Sequence, residues 1–174
     1  MSIRLNTSSS FLFCLELVMS NKTASENDYM KCIGMLAQNA AIADMTFFSV
    51  FCDLMGSTVK VARAIYYTLE AIPPKQKLVS RIAELKKDKA LLKAVDKLGN
   101  FVKSAHAPRN DLAHSTLVQQ NGVIQRHSQK YGTQIVTLDF LKGKINASGE
   151  ALTKCRLEHE RICQMLGTQQ KLYC

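Results

Sequence analysis

Proline sets the hardest limit on where a helix can run, and this chain has only three, Pro73, Pro74 and Pro108. It lacks the N–H that an interior helical turn needs, and glycine is costly there because of its conformational freedom. With three prolines and eight glycines in 174 residues, long stretches are left free to be helical. The expected fold is mainly all-α: an antiparallel bundle of four to five helices with a small β-hairpin before the last helix.

Ser25-Glu26-Asn27-Asp28 reads as a capping box. It opens a first helix through Met30, Ile33, Ala37, Ala41, Met45, Phe48 and Cys52 to Gly56, about 40 Å long at 1.5 Å per residue. Ile42, Phe47, Val50 and Phe51 make that helix apolar on more than one face, which asks for cover on both sides and suggests a homodimer seam. Gly56-Ser57-Thr58 stops it and starts a second helix, with Val61, Ala64, Ile65, Thr68 and Leu69 on one face up to Ala71. Pro74 suits the first turn of a third helix carrying Leu78, Ile82 and Leu85. Asp88 can cap a fourth, with Leu91, Leu92, Val95, Leu98 and Val102. Pro108 marks a new helix start or a kink, which places the residues after it at a helix N-terminus. Thr116-Leu117-Val118, the turn-like Asn121-Gly122, Val123-Ile124 and later Gln134-Ile135-Val136 read as a two-stranded hairpin. Thr137 caps a final helix whose positions Leu138, Leu141, Ile145, Ser148, Leu152, Cys155, His159, Ile162 and Leu166 form a packing seam.

These elements divide the chain into a flexible leader (1–24), one helical domain (25–168) and a tail (169–174). The apolar stretch Ile33–Met55 is interrupted by Gln38, Asn39, Asp44 and Asp53, short of the roughly 18 uncharged residues a membrane span needs. The Phe11–Leu15 run is broken by Glu16 and closed by no A-x-A-like cleavage site, so a cytoplasmic protein away from membranes is expected. Six cysteines occur without a C-x-x-C pair and are expected reduced and mostly buried. Cys155, His159 and Cys163 stand four apart on one helical face, but they continue the apolar seam and lack a second ligand pair; no metal or cofactor is expected.

The formal charge of +9 favours an anionic partner, and its placement narrows the choice. Nine basic residues (Lys75, Lys77, Arg81, Lys86, Lys87, Lys89, Lys93, Lys97, Lys103) face only Glu84, Asp88 and Asp96 between 75 and 103. That segment leads into Ala107-Pro108-Arg109-Asn110-Asp111-Leu112-Ala113-His114-Ser115. On a helix, Asn110 and His114 stack on one face and Arg109 reaches the same spot. Cleaving RNA without a metal needs a base for the ribose 2′-hydroxyl proton and a fixed cation for the phosphate. His114 and Arg109 are the right types for these roles, and Asn110 is suited to orienting substrate or imidazole. Lys97, Lys103, His106 and Ser115 are candidates to contact RNA, and His106 is a second candidate base. Each also has a structural alternative: Arg109 in an ion pair, Asn110 closing a turn, His114 as a satisfied core histidine.

Arg109-Asn110-x-x-x-His114 resembles the R-x4–6-H motif of the HEPN superfamily of helical domains. The resemblance spans about residues 28–166: a long apolar first helix, a helical run into the motif, a hairpin and a closing helix. It implies a metal-independent endoribonuclease acting as a homodimer, with two motif segments facing one cleft and cyclic phosphate ends on the product. It also implies a toxin beside a nucleotidyltransferase-like antitoxin, or a phage-defence effector. Some such domains are non-catalytic, so a homodimer that binds RNA, a nucleotide or a partner protein is the alternative.

Overall fold

A computed structural model describes residues 22–120 and 123–168. Among them the chain forms helices α1 (Glu26–Met55), α2 (Val59–Tyr66), α3 (Ile72–Leu85) and α4 (Lys89–Ala113), strands β1 (Thr116–Gln120), β2 (Val123–Ser128) and β3 (Gly132–Ile135), and helix α5 (Leu138–Leu166). The mainly all-α expectation holds. Of the expected leader, residues 1–21 lie outside the described residues, as do Asn121-Gly122 and the tail 169–174.

The helix starts follow from side chains that take over unpaired N–H groups of the first turn. Ser25 Oγ accepts from Asp28 N at 3.2 Å while Asp28 Oδ2 accepts from Ser25 N at 3.0 Å, the reciprocal pair of a capping box. Thr58 accepts from Val61 N, Asp88 from Ala90 N and Leu91 N, and Thr137 from Phe140 N. Gly56, at φ +59°, ends α1 in the left-handed region that a side chain makes costly. α2 stops at Tyr66 and not at Ala71, because Tyr67 N returns to Arg63 and Leu69 N to Tyr66 in closing turns.

Two expectations are corrected. α4 does not restart at Pro108; it runs through it to Ala113, with the proline ring buried. The ring deprives the Ser104 carbonyl of its donor. Two hydroxyls bond to carbonyls beside the proline: Ser104 Oγ donates back to the Asn100 carbonyl at 2.9 Å, a pairing that bends helices, and Ser148 Oγ of α5 donates to the Ala105 carbonyl at 3.0 Å. The sheet has three antiparallel strands in the order β1-β2-β3, not two. Gly132, at φ +66°, lets the chain turn back after β2, and Arg126 then pairs across to Gln134.

The described chain divides into two compact units. The larger takes, among the described residues, 33–113 and 144–168; its core is Phe47, Phe48 and Phe51 around Tyr66, extended by Val79, Leu98, Val102, Cys155 and Ile162. Every residue from Thr46 to Cys52 is buried within this one chain. Phe47, Val50 and Phe51, three of the four residues that make α1 apolar on more than one face, are thus covered within the chain, while Ile42 is partly buried. α1 passes the length and composition test for a membrane-crossing helix, yet over these residues it is packed in protein.

α3 meets α4 at Gly99, where an added Cβ would come within 2.8 Å of the Gln76 side chain. Gly99→Val is expected to cost about 2 kcal/mol by overpacking, read as a lower urea midpoint at unchanged m-value. Gly99→Ala should sit near wild type, because its gain in helix propensity offsets the displacement of Gln76.

The smaller unit takes, among the described residues, 22–32, 114–120 and 123–143. Thr23 bridges to Thr137 and Ala24 N donates to the Val136 carbonyl, so residues 22–24, assigned by sequence to the leader, are tied to the end of the sheet segment. Arg126 is buried, its Nε and Nη2 on Gln134 Oε1 at 3.0 and 2.6 Å and its guanidinium 4.6 Å from the Phe140 ring. Such stacking suits a weakly hydrated planar cation.

Candidate functional site

The larger unit carries a cleft of about 410 Å³ lined by Asp44 of α1, Glu70, Ala71, the start of α3 with Lys75, and Lys103, His106, Arg109 and Asn110 of α4. Residues 103, 106 and 110 follow helical three–four spacing, so one face of α4 presents them together. Continuing the helix through Pro108 is what brings Arg109 and Asn110 onto that face.

At the floor, Lys75 Nζ pairs with both Asp44 oxygens at 3.0 and 2.7 Å and lies 4.5 and 4.9 Å from the Tyr66 and Tyr67 rings. Tyr66 Oη donates to Asp44 Oδ1 at 2.8 Å. Burial, and then the Asp44 carboxylate, push the Tyr66 phenol well above its ordinary value, so it remains a donor. Lys75 is 4 % exposed. Sequence counted it among the nine basic residues between 75 and 103 that favour an anionic partner, but its charge is balanced by Asp44. The open charges of the cleft are then Lys103 and Arg109 against Glu70, a small cationic excess suited to a phosphate.

Arg109 Nη1 donates to Asn110 Oδ1 at 3.1 Å, so Asn110 orients the guanidinium. Both are exposed. Beneath them, His106 is half-buried, with Nε2 buried and lacking a hydrogen-bond partner. Desolvation holds its imidazole below the ordinary histidine range, opposed by Asp44 and the Ala40 backbone and reinforced by Lys75 and Arg109.

The remaining expected site residues stand elsewhere. His114 is the first residue beyond α4, in an exposed turn, so the helical stack of Asn110 on His114 is cut short. Nor does the motif occupy a helix N-terminus; it ends a helix, where carbonyls and not N–H groups are left over. A phosphate there must be held by side chains. Lys97 pairs with Glu158 at 2.7 Å and does not line the cleft. Ser115 precedes β1. Asp111 joins Lys144 in an ion pair that fastens the end of α4 to α5.

The described cysteines, Cys32, Cys52, Cys155 and Cys163, are buried thiols that form no disulfide among the described residues. Burial raises Cys52 to about 11 and Cys155 to about 12, so neither is a thiolate nucleophile at neutral pH. Cys155, His159 and Cys163 lie in the core, and no group of three potential ligands gathers around a metal position among the described residues. Sequence reading missed Asp44, Glu70 and Lys75 in the cleft; the available signal was Asp44, which with Asp53 is one of two carboxylates in the apolar stretch Ile33–Met55.

His106 and His159 both have depressed pKa values, with burial the largest cause. The unfolded chain protonates them near pH 6.5. Folding therefore gains full benefit from them above that pH and loses it progressively as pH falls below it, toward their folded values. Urea midpoints should drop between pH 7.5 and 5.5, and His106→Asn should flatten part of that slope. A midpoint constant across this window would contradict the neutral buried state of both rings.

Comparison with known proteins finds no family model, no curated protein and no solved structure significantly similar to the chain.

Proposed function

We propose that this protein is a metal-independent endoribonuclease of the HEPN type. The observation that carries this reading is the placement of Arg109 and Asn110, two of the three motif residues, in one cleft with Lys103 and His106. A guanidinium held by its neighbouring amide, with a second cation beside it, is suited to gripping a phosphodiester. In this reading Arg109 clamps the phosphate, Asn110 holds Arg109, and His114 transfers the proton. The products are a 2′,3′-cyclic phosphate and a 5′-hydroxyl. A role as a toxin or phage-defence effector, alone or beside a nucleotidyltransferase-like antitoxin, rests on the motif resemblance alone.

The test is incubation of purified protein with total tRNA and a defined single-stranded RNA in EDTA, alongside His114→Ala. Cleavage leaving cyclic phosphate ends is expected, falling about a hundredfold or more in the variant. Equal background rates for the two proteins would end the nuclease reading.

One observation favours a second reading, an RNA-binding module without catalysis: His114 is not among the residues lining the cleft. Tight binding that weakens steeply with salt, without cleavage, would select it.

A further inference from the structure

We propose that the α4 cleft is a ribonucleotide subsite in which His106 accepts a hydrogen bond from the ribose 2′-hydroxyl while Arg109 and Lys103 hold the adjoining 3′-phosphate. The inference rests on the RNA-directed reading of the same cleft, but it assigns the sugar contact to a residue outside the motif.

Three features of the site support it. His106 is a lining residue between Lys103 and Arg109 on one face of α4, so an imidazole is flanked by the two open cations. Its Nε2 is buried without a hydrogen-bond partner, so the ring nitrogen left to meet a ligand is Nδ1. A neutral imidazole protonated at Nε2 offers its lone pair there. The charged groups around it are Asp44 of α1, Lys75 of α3 and Arg109 of α4; Asp44 and Lys75 neutralise one another, and burial keeps the ring uncharged. An uncharged acceptor between two phosphate-binding cations fits a hydroxyl one sugar carbon from a phosphate. A 2′-deoxy strand offers no such donor, so the subsite should distinguish RNA from DNA. The cleft volume lies within the roughly 300–1,000 Å³ range of small-ligand sites, room for one nucleotide.

The experiment is calorimetric titration, in EDTA at pH 7.5, of the full chain with cytidine 3′-monophosphate and its 2′-deoxy analogue. The ribonucleotide should bind about fivefold more tightly or better. His106→Asn should lose that preference while keeping most affinity for the deoxy analogue, and Arg109→Ala should weaken both ligands about equally. The His106 ring proton resonances should shift on binding the ribonucleotide and shift less with the deoxy form; this readout needs no variant to fold. Equal affinities in the wild type, or a preference that survives in His106→Asn, overturns the proposal. Ribose preference without RNA cleavage upholds this subsite and sinks the nuclease reading. Cleavage dependent on His114 without ribose preference does the reverse.

Discussion

Asp44→Ala should lower stability by about 3 kcal/mol, seen as a fall of roughly 6–12 °C in thermal midpoint. The substitution strands the Lys75 ammonium, whose side chain is 5 % exposed, among the Tyr66 and Tyr67 rings, and removes the carboxylate that accepts from Tyr66. The lower end of the range for a broken buried pair applies because Asp44 keeps 17 % side-chain exposure through the cleft. Asp44→Ala with Lys75→Met should recover much of the loss, since no buried charge then stands alone. A double variant no more stable than Asp44→Ala would place the cost in lost packing and not in an uncompensated charge.

Arg109→Ala should reduce RNA cleavage about a hundredfold or more while leaving the thermal midpoint close to wild type. The side chain is exposed, and its hydrogen bond to Asn110 is a surface contact, so little of the fold depends on it. Arg109→Lys should restore only part of the rate: an ammonium supplies the charge but not the planar fork that binds two phosphate oxygens. Asn110→Ala should fall between the two, because it frees the guanidinium to wander without removing it. Parallel salt titrations of RNA binding distinguish loss of the clamp from loss of chemistry: Arg109→Ala should flatten the salt slope by about one phosphate contact. Identical cleavage by Arg109→Ala and wild type would remove the clamp from the mechanism.

Helix starts were legible in sequence because capping is local chemistry: Ser25, Thr58, Asp88 and Thr137 each accept backbone N–H groups at the positions read from the chain. The all-helical character was legible for the same reason, since periodicity and scarcity of breakers act within each segment. Pro108 was misread because its effect is not local. Its ring is buried, and the adjoining turn is packed on α5, where Ser148, far along the chain, donates to the Ala105 carbonyl. Gln134-Ile135-Val136 was read into the hairpin but not as a strand of its own, because all four β3 residues are exposed and show no apolar alternation. In the site, Arg109 and Asn110 were visible as an unusual polar pair, whereas Lys75 looked like any solvent lysine. Only the three-dimensional approach of Asp44, on a helix thirty-one positions earlier, separates a buried ammonium from a free one.

Pro108 also bears on how α4 fluctuates. A continuous α-helix frays from its end through a ladder in which each bond supports the next, but the missing donor at residue 108 breaks that ladder five residues before Ala113. The last turn and a half, which carries Arg109 and Asn110, is held instead by its side chains: Leu112 is buried and Asp111 pairs with Lys144 of α5. α4 is thus secured in two ways: by its backbone ladder as far as the proline, and beyond it by a buried leucine and an ion pair that keep Arg109 at the cleft while leaving its side chain exposed.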